Sequence, residues 1–295
     1  MKTEHLNTCP SCGSNNIHPS SKIKDYFYSN EEFEIWECKN CSLKFTQNRP
    51  VVEEIGKYYD SKNYASHDSG KSNNPLLLVY KRARSYMLQE KFELIRQFKP
   101  EWKQVLDYGT GEGFFVEYLL KKGKDAIGIE PSPDARENFN RRTGQTLLES
   151  LGTLSDQQTF QVISLWHVLE HIHDLHPTIK KLVQHLEPKG IMVIAVPNQA
   201  SLDAELFNKE WAAWDVPRHL YHWNSQSLGT FLSAHGLTKI YTGQLPLDPF
   251  YIGLISSRYQ GKSPLSGLLS GMKSYFHGKN NPEKGSTLLT IWMKN

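Results

Sequence analysis

Val105-Leu106-Asp107-Tyr108-Gly109-Thr110-Gly111-Glu112-Gly113-Phe114-Phe115 runs from an apolar stretch into an acid and then into three glycines at alternate positions. The apolar stretch reads as a strand and the glycines as the turn that leads into a helix. Glycine opens backbone dihedrals closed to other residues and lets the chain approach a ligand at a helix start. Such a loop is a site for a nucleoside cofactor. The acid narrows the choice: Asp107 would repel an anionic pyrophosphate and attract a cationic amino group. S-adenosylmethionine carries such a group.

Asp125-Ala126-Ile127-Gly128-Ile129-Glu130-Pro131-Ser132-Pro133 is a second apolar strand ending in an acid, and Glu130 follows Asp107 by 23 positions (130 − 107). A strand end, a helix over about 113–122 and a second strand fill that interval, which brings Glu130 beside the glycine loop. A carboxylate there accepts both ribose hydroxyls. Two later segments complete a set, Trp166-His167-Val168-Leu169-Glu170-His171 and Ile194-Ala195-Val196-Pro197-Asn198. Through these four segments in order, residues from about 100 to 295 resemble the class I S-adenosylmethionine-dependent methyltransferases, in particular those of ubiquinone-type and sugar pathways. The resemblance implies an α/β fold with a doubly wound, Rossmann-like, seven-stranded sheet. The residues expected at the cofactor are Asp107, Tyr108, Gly109, Thr110, Gly111, Gly113, Glu130, Pro131, Ser150, Leu151, Trp166 and His167.

All four cysteines lie in the first 41 residues, as Cys9-Pro10-Ser11-Cys12 and Cys38-Lys39-Asn40-Cys41, with 25 residues between the pairs (38 − 12 − 1). Each C-x-x-C turn points two thiolates at one centre, and two turns complete a closed four-cysteine zinc site. Disulfides, a thiol redox pair and iron are the alternatives. Short aromatic strands at 26–28 and 33–37 fit a zinc ribbon that needs its metal to fold. A four-cysteine module before this core resembles deoxysugar C-methyltransferases, while a differently spaced finger precedes the core of some ribosomal-RNA guanine methyltransferases. The ribbon therefore reads as a structural cap, a partner site or an RNA grip.

The chain has 295 residues, 38% of them hydrophobic, and a net charge of +3. It can bury a sizeable core, and its charge demands neither a nucleic acid nor an anionic membrane. The first eight residues lack the apolar core of a signal peptide, and no apolar run is long enough to span a bilayer, so a cytoplasmic location is expected. Three regions follow: a zinc ribbon over 1–46, a helical connector or cap over 47–100, and a methyltransferase core over 101–295. Tyr58, Tyr59 and Tyr64 of the connector read as packing aromatics, or as a lid over the cofactor. In the core, a weak third strand is expected near 146–148, a fourth at 160–165, a fifth at 190–197 and a last pair near 237–243 and 286–293. The carboxyl ends of the third and fourth strands put Glu149, Ser150, Leu151, Trp166 and His167 near the ligand. An insertion over about 244–284 contains Ser263-Pro264 as a helix start and an apolar stripe, read as a covering helix ahead of one that touches membrane or substrate.

His167-Val168-Leu169-Glu170-His171 matches the H-x-x-E-H pattern of a group of zinc peptidases. Its place directly after a strand argues against that reading. Methyl transfer to oxygen or carbon needs a base, and histidine suits the task at neutral pH. The loop Trp211-Ala212-Ala213-Trp214-Asp215-Val216-Pro217-Arg218-His219-Leu220-Tyr221-His222-Trp223 holds two histidines and an arginine. The Pro-x-His-Leu segment resembles the acceptor-facing loop of sugar and ubiquinone-type methyltransferases. His219 is the expected base, with Arg218 or His222 holding the acceptor. The expected acceptor offers oxygen or carbon on a small or carrier-linked molecule such as a sugar or glycan precursor. An RNA-methylating enzyme and a non-catalytic cofactor-binding module are the alternatives, and the glycine spacing disfavours a nicotinamide-dependent dehydrogenase.

Overall fold

The structure, a computed structural model, describes residues 2–59 and 75–295. Tyr64 and the polar stretch expected over 60–74 lie outside the described residues.

The chain opens with β1 (Thr3–Glu4), β2 (Ile17–Lys24), β3 (Glu32–Cys38), β4 (Lys44–Gln47) and β5 (Arg49–Pro50), followed by the short α1 (Val52–Ile55). Strands β2 and β3 alternate apolar and polar residues, so Ile23, Phe33 and Ile35 are buried on one face. The long helix α2 (Pro75–Phe98) then leads to the central unit.

That unit alternates β6 (Gln104–Tyr108), α3 (Phe114–Lys121), β7 (Asp125–Ile129), α4 (Pro133–Thr143), β8 (Phe160–Trp166), α5 (Leu175–His185) and β9 (Leu186–Pro197). The order of its sheet is β11-β12-β9-β8-β6-β7, with β11 (Leu237–Gly243) and β12 (Thr287–Lys294) entering from the end of the chain. β6 to β9 run parallel, and β12 lies antiparallel between β9 and β11. Strands covered on both faces carry near-continuous apolar runs, as β9 does with Ile191–Val196 fully buried. The α/β class holds, and among the described residues the central sheet has six strands in place of the expected seven. The expected third strand contributes one bridge, Leu148 to Ile129, because its short polar surroundings offer too little apolar surface to extend a ladder.

Between β9 and β11 lie α6 (Leu202–Phe207), β10 (Tyr221–His222) and α7 (Ser225–Ser233). β10 does not join the central sheet. It pairs antiparallel with β4, giving the N-terminal sheet the order β10-β4-β3-β2. Cys38, Leu43 and Phe45 of the ribbon are buried in one cluster with Leu165, Ile194, Tyr221 and Trp223. The ribbon and the core thus share an apolar interior. The final insertion forms the helical pair α8 (Asp248–Tyr259) and α9 (Pro264–Asn280) before β12 returns to the sheet.

Candidate active site

β6 and β7 run side by side and parallel, which sets Asp107 and Glu130 at neighbouring strand ends. The loop between β6 and α3 closes on β7: the Gly109 and Thr110 N–H groups donate to the Ile129 carbonyl at 2.8 and 3.0 Å, and Gly113 N–H donates to the Thr110 carbonyl at 3.0 Å. Gly113, with φ at 71°, precedes α3, and a Cβ there would strike the Phe139 ring at 2.3 Å. Gly111, with φ at 56°, differs: nothing lies within 4 Å of where its Cβ would stand. That open side is a cradle where a ligand can meet bare backbone.

Glu130 holds the cradle in shape. Its Oε2 accepts the Gly111 N–H at 2.8 Å and its Oε1 accepts the Ser132 N–H at 2.9 Å. Asp107 is buried and accepts the Ser164 hydroxyl at 2.6 Å. Burial pushes its carboxyl pKa up, against the Ser164 hydroxyl and the Lys91 ammonium. Lys91, on α2, stands 4.4 Å over the Trp166 ring, and burial lowers its pKa against the pull of Asp107 and Asp248. Tyr108 is half-buried and Pro131 exposed beside the same strand ends. Ser150 starts the turn Leu151–Thr153 and accepts the Gly152 N–H at 3.3 Å, with the Leu151 side chain buried behind it.

His167 follows β8 with a left-handed φ of 57°. Its Nε2 is 2.9 Å from Asp248 Oδ2, and its Nδ1 is 3.6 Å from Glu170 Oε1. Burial opposes the imidazolium, but Asp248 and Glu170 outweigh it and raise His167 to about 10. The H-x-x-E-H pattern does not set two histidines on one helix face, since Leu169–His171 is a single 3-10 turn.

A second cluster joins Glu170, His171, Asp215 and His219. Donor atoms of Glu170, His171 and His219 lie within 4.8 Å of one another, a spacing that can hold a cation. The Glu170 side chain is fully buried with no hydrogen-bond donor on either oxygen. Burial would raise it, yet His167, His171 and His219 together hold it below the usual carboxylate range. His219 Nδ1 lies 2.8 Å from the Ala213 carbonyl, which only accepts, so Nδ1 carries the proton. His171 Nδ1 lies 3.0 Å from the Arg218 carbonyl and is protonated for the same reason, while Tyr59 Oη sits at 3.0 Å. In both rings Nε2 is thereby the nitrogen that does not meet a backbone carbonyl. Burial, then His219, pushes His171 down to about 4.

Two expected acceptor contacts are engaged elsewhere. Arg218 is buried and bonds Asp215 Oδ2 through Nε at 3.1 Å, the Tyr58 carbonyl at 3.0 Å and Asp25 Oδ1 at 3.2 Å. Its guanidinium therefore ties the ribbon to the loop and offers no free fork to an acceptor. His222 is buried in β10, where it meets the Trp214 ring at a centroid distance of 4.8 Å. The Thr46 hydroxyl donates to the His219 carbonyl at 2.8 Å, so His222 Nε2, 3.2 Å away, donates to Thr46. Burial pushes its pKa well below the ordinary value and keeps it neutral. Of the connector tyrosines, Tyr58 is buried with its hydroxyl donating to Glu31 at 2.6 Å. Sequence reasoning did not assign Glu170, His171, Asp215, Asp248 or Lys91 to the site. The first two stood in a quoted motif after a strand, whereas Asp248 lies 81 positions from His167 and carried no signal.

Cys9 and Cys41 sulfurs are 3.6 Å apart, as are those of Cys12 and Cys38, and all four lie within 4.8 Å. A tetrahedral zinc with bonds of about 2.3 Å needs sulfurs about 3.8 Å apart, so this set fits. The two knuckles repeat one geometry: Gly13 N–H returns to the Cys9 carbonyl and Ser42 N–H to the Cys38 carbonyl, each at 2.9 Å.

A family model described as a methyltransferase domain matches residues 80–242, which is 163 residues (242 − 80 + 1) and more than half of the chain. The chain is 24% identical over 171 residues to the ubiquinone biosynthesis O-methyltransferase of Bradyrhizobium diazoefficiens, an overlap of 55% of this chain and 66% of that one. It spans about half to two thirds of the length of the curated relatives it matches. In fold it is similar to the Burkholderia thailandensis 1,6-didemethyltoxoflavin-N1-methyltransferase with bound 1,6-didemethyltoxoflavin and S-adenosylhomocysteine. That similarity has a TM-score of 0.52 at 14% identity and covers 94% of this chain and 99% of the other. The magnesium protoporphyrin IX methyltransferase of Synechocystis PCC 6803, with bound S-adenosylhomocysteine, gives a TM-score of 0.51 at 13% identity, covering 82% of this chain and 98% of that one.

Proposed function

Because the chain belongs to the methyltransferase-domain family, we propose that it is an S-adenosylmethionine-dependent methyltransferase acting on oxygen or carbon of a small or carrier-linked acceptor, such as a sugar or glycan precursor. One observation carries the cofactor assignment: an open glycine cradle between two carboxylates at adjacent strand ends. When bound, S-adenosylmethionine supplies a methyl group made electrophilic by its sulfonium. Asp107 receives the amino group, Glu130 the ribose hydroxyls, and Lys91 the carboxylate of the amino-acid tail. Tyr108, Pro131, Ser150 and Leu151 line the nucleoside, with Trp166 and His167 beside the tail.

His219 is the base. Its Nδ1–H is anchored to a backbone carbonyl, so the opposite nitrogen takes the acceptor proton, and the resulting imidazolium is matched by Glu170 and by Asp215 at 3.8 Å. Arg218 positions Asp215, while His222 holds the loop against β4 through Thr46. The four cysteines hold a structural zinc that keeps the ribbon, and through it this loop, in place. The buried contact between ribbon and core supports that role over an RNA grip.

The test has two arms. A melting-temperature rise with S-adenosylhomocysteine and none with NAD would support the cofactor assignment, and the opposite pattern would overturn it. Incubation with methyl-labelled S-adenosylmethionine and fractionated cell extract then reports the acceptor. Label in glycan or sugar-nucleotide pools supports the acceptor class. Ribonuclease-sensitive label in RNA would replace it, and cofactor binding without label in any pool would favour a non-catalytic module.

A further inference from the structure

Glu170 sits where a carboxylate is expensive to keep. Its side chain is fully buried, and neither oxygen has a hydrogen-bond donor among the described residues. His167 Nδ1 stands 3.6 Å from Oε1, and that ring already pairs through Nε2 with Asp248 at 2.9 Å. An ionised carboxylate held in this way lacks a close cation.

The neighbouring rings supply the rest of a ligand set. One oxygen of Glu170 and one nitrogen each from His171 and His219 lie within 4.8 Å of one another. Around a tetrahedral zinc with bonds of about 2.1 Å, ligand atoms stand about 3.4 Å apart, so modest side-chain rotation closes the set on an ion. Both rings are already braced for that: His219 Nδ1 meets the Ala213 carbonyl at 2.8 Å and His171 Nδ1 the Arg218 carbonyl at 3.0 Å. A metal-binding imidazole characteristically donates its other N–H to such a group, which fixes ring and tautomer. Burial, then His219, pushes His171 down to about 4, and the neutral ring is the form that binds metal. Asp215, with its side chain 27% exposed and 3.8 Å from His219 Nε2, marks the side on which the cluster meets solvent. The set differs from the H-x-x-E-H peptidase pattern, because Asp248 engages His167 and the second histidine comes from 48 positions beyond His171 (219 − 171). Two imidazoles and one carboxylate suit a first-row divalent cation, whereas magnesium prefers oxygen ligands and keeps its waters.

We propose that Glu170, His171 and His219 form a second metal site, separate from the four cysteines, that takes a divalent cation such as Zn2+ on one carboxylate oxygen and two imidazole nitrogens. A cation there occupies the lone pair assigned to the base, so the metal-bound and proton-accepting forms of His219 exclude one another. That consequence rests on the methyl-transfer reading; the site does not, and its test measures no transfer.

The purified full chain is freed of loosely held metal on a chelating resin, and zinc is then titrated by calorimetry with magnesium in excess. One further equivalent beyond that of the ribbon is expected, undisplaced by magnesium. Cobalt(II) offered in place of zinc should give weak visible bands there, without the intense near-ultraviolet band of a thiolate–cobalt bond. Glu170→Gln and His219→Gln should each hold this equivalent at least about tenfold more weakly, with melting temperatures reporting that both are folded. His176→Ala, which removes an exposed histidine 3.3 Å from His235, should bind it as wild type does. Wild type that takes up no further equivalent would overturn the proposal. So would an equivalent that both glutamine variants hold undiminished, that magnesium displaces, that His176→Ala loses, or that carries the thiolate band.

Discussion

Burying a carboxylate without a donor is costly unless positive charge or a proton arrives, and Glu170 is buried in that way among three imidazoles. In the mechanism we propose, its charge would match the proton that His219 takes from the acceptor. Glu170→Gln keeps the shape and removes the charge, so kcat should fall by about tenfold to a hundredfold with KM little changed, read in steady-state kinetics with the identified acceptor. His219→Ala should lower kcat/KM by about a hundredfold or more. The His167–Asp248 pair gives a pH prediction whose sign is set by the raised histidine. A His raised from its ordinary 6.5 to about 10 contributes stability that is complete below 6.5 and is lost as pH rises through 10. Wild type should therefore lose melting temperature between pH 7 and 10, and His167→Gln should flatten that slope. Asp248, held below 3.8 by His167, adds stability that is lost as pH falls through its lowered value.

At the scale of elements, the glycine loop separates binding from stability. A side chain at Gly113 would strike Phe139, whereas one at Gly111 would stand in the open cradle. Gly113→Ala should lower the melting temperature of the free protein. Gly111→Ala should leave it closer to wild type, with only the strain of a positive φ, and weaken S-adenosylhomocysteine at least about tenfold in calorimetry. The loop was legible because strand, acid and glycines are contiguous, and each signal is local. Strand β10 was not: two residues, Tyr221 and His222, carry no periodicity, and only their pairing with Phe45 and Lys44 makes them a strand. The weak third strand is the reverse case, where local propensity overstated a segment that the sheet uses for one bridge.

Across the whole molecule, the ribbon and the loop around His219 are tied together. Asp25 closes the turn between β2 and β3 by accepting N–H groups from Phe27, Tyr28 and Ser29, and it also takes Arg218, which in turn clamps Asp215 beside His219. Removing the metal with a chelator, or Cys38→Ser, should therefore lower the melting temperature of the whole chain in a single transition and reduce methyl transfer, as followed by calorimetry and by label incorporation. Two separate transitions with activity intact would show a ribbon independent of the core.

The sequence by itself determined the glycine loop, the two strand-end acids, the four-cysteine spacing and the α/β class, because each depends on residues close in the chain, where backbone geometry and hydrophobic period speak directly. Only the tertiary structure decided the roles of Arg218 and His222, the convergence of Glu170, His171 and His219, and the pairing of His167 with Asp248. Those depend on which surfaces meet across as many as 193 positions (218 − 25), and burial turns a polar side chain into a clamp only once its partners stand around it.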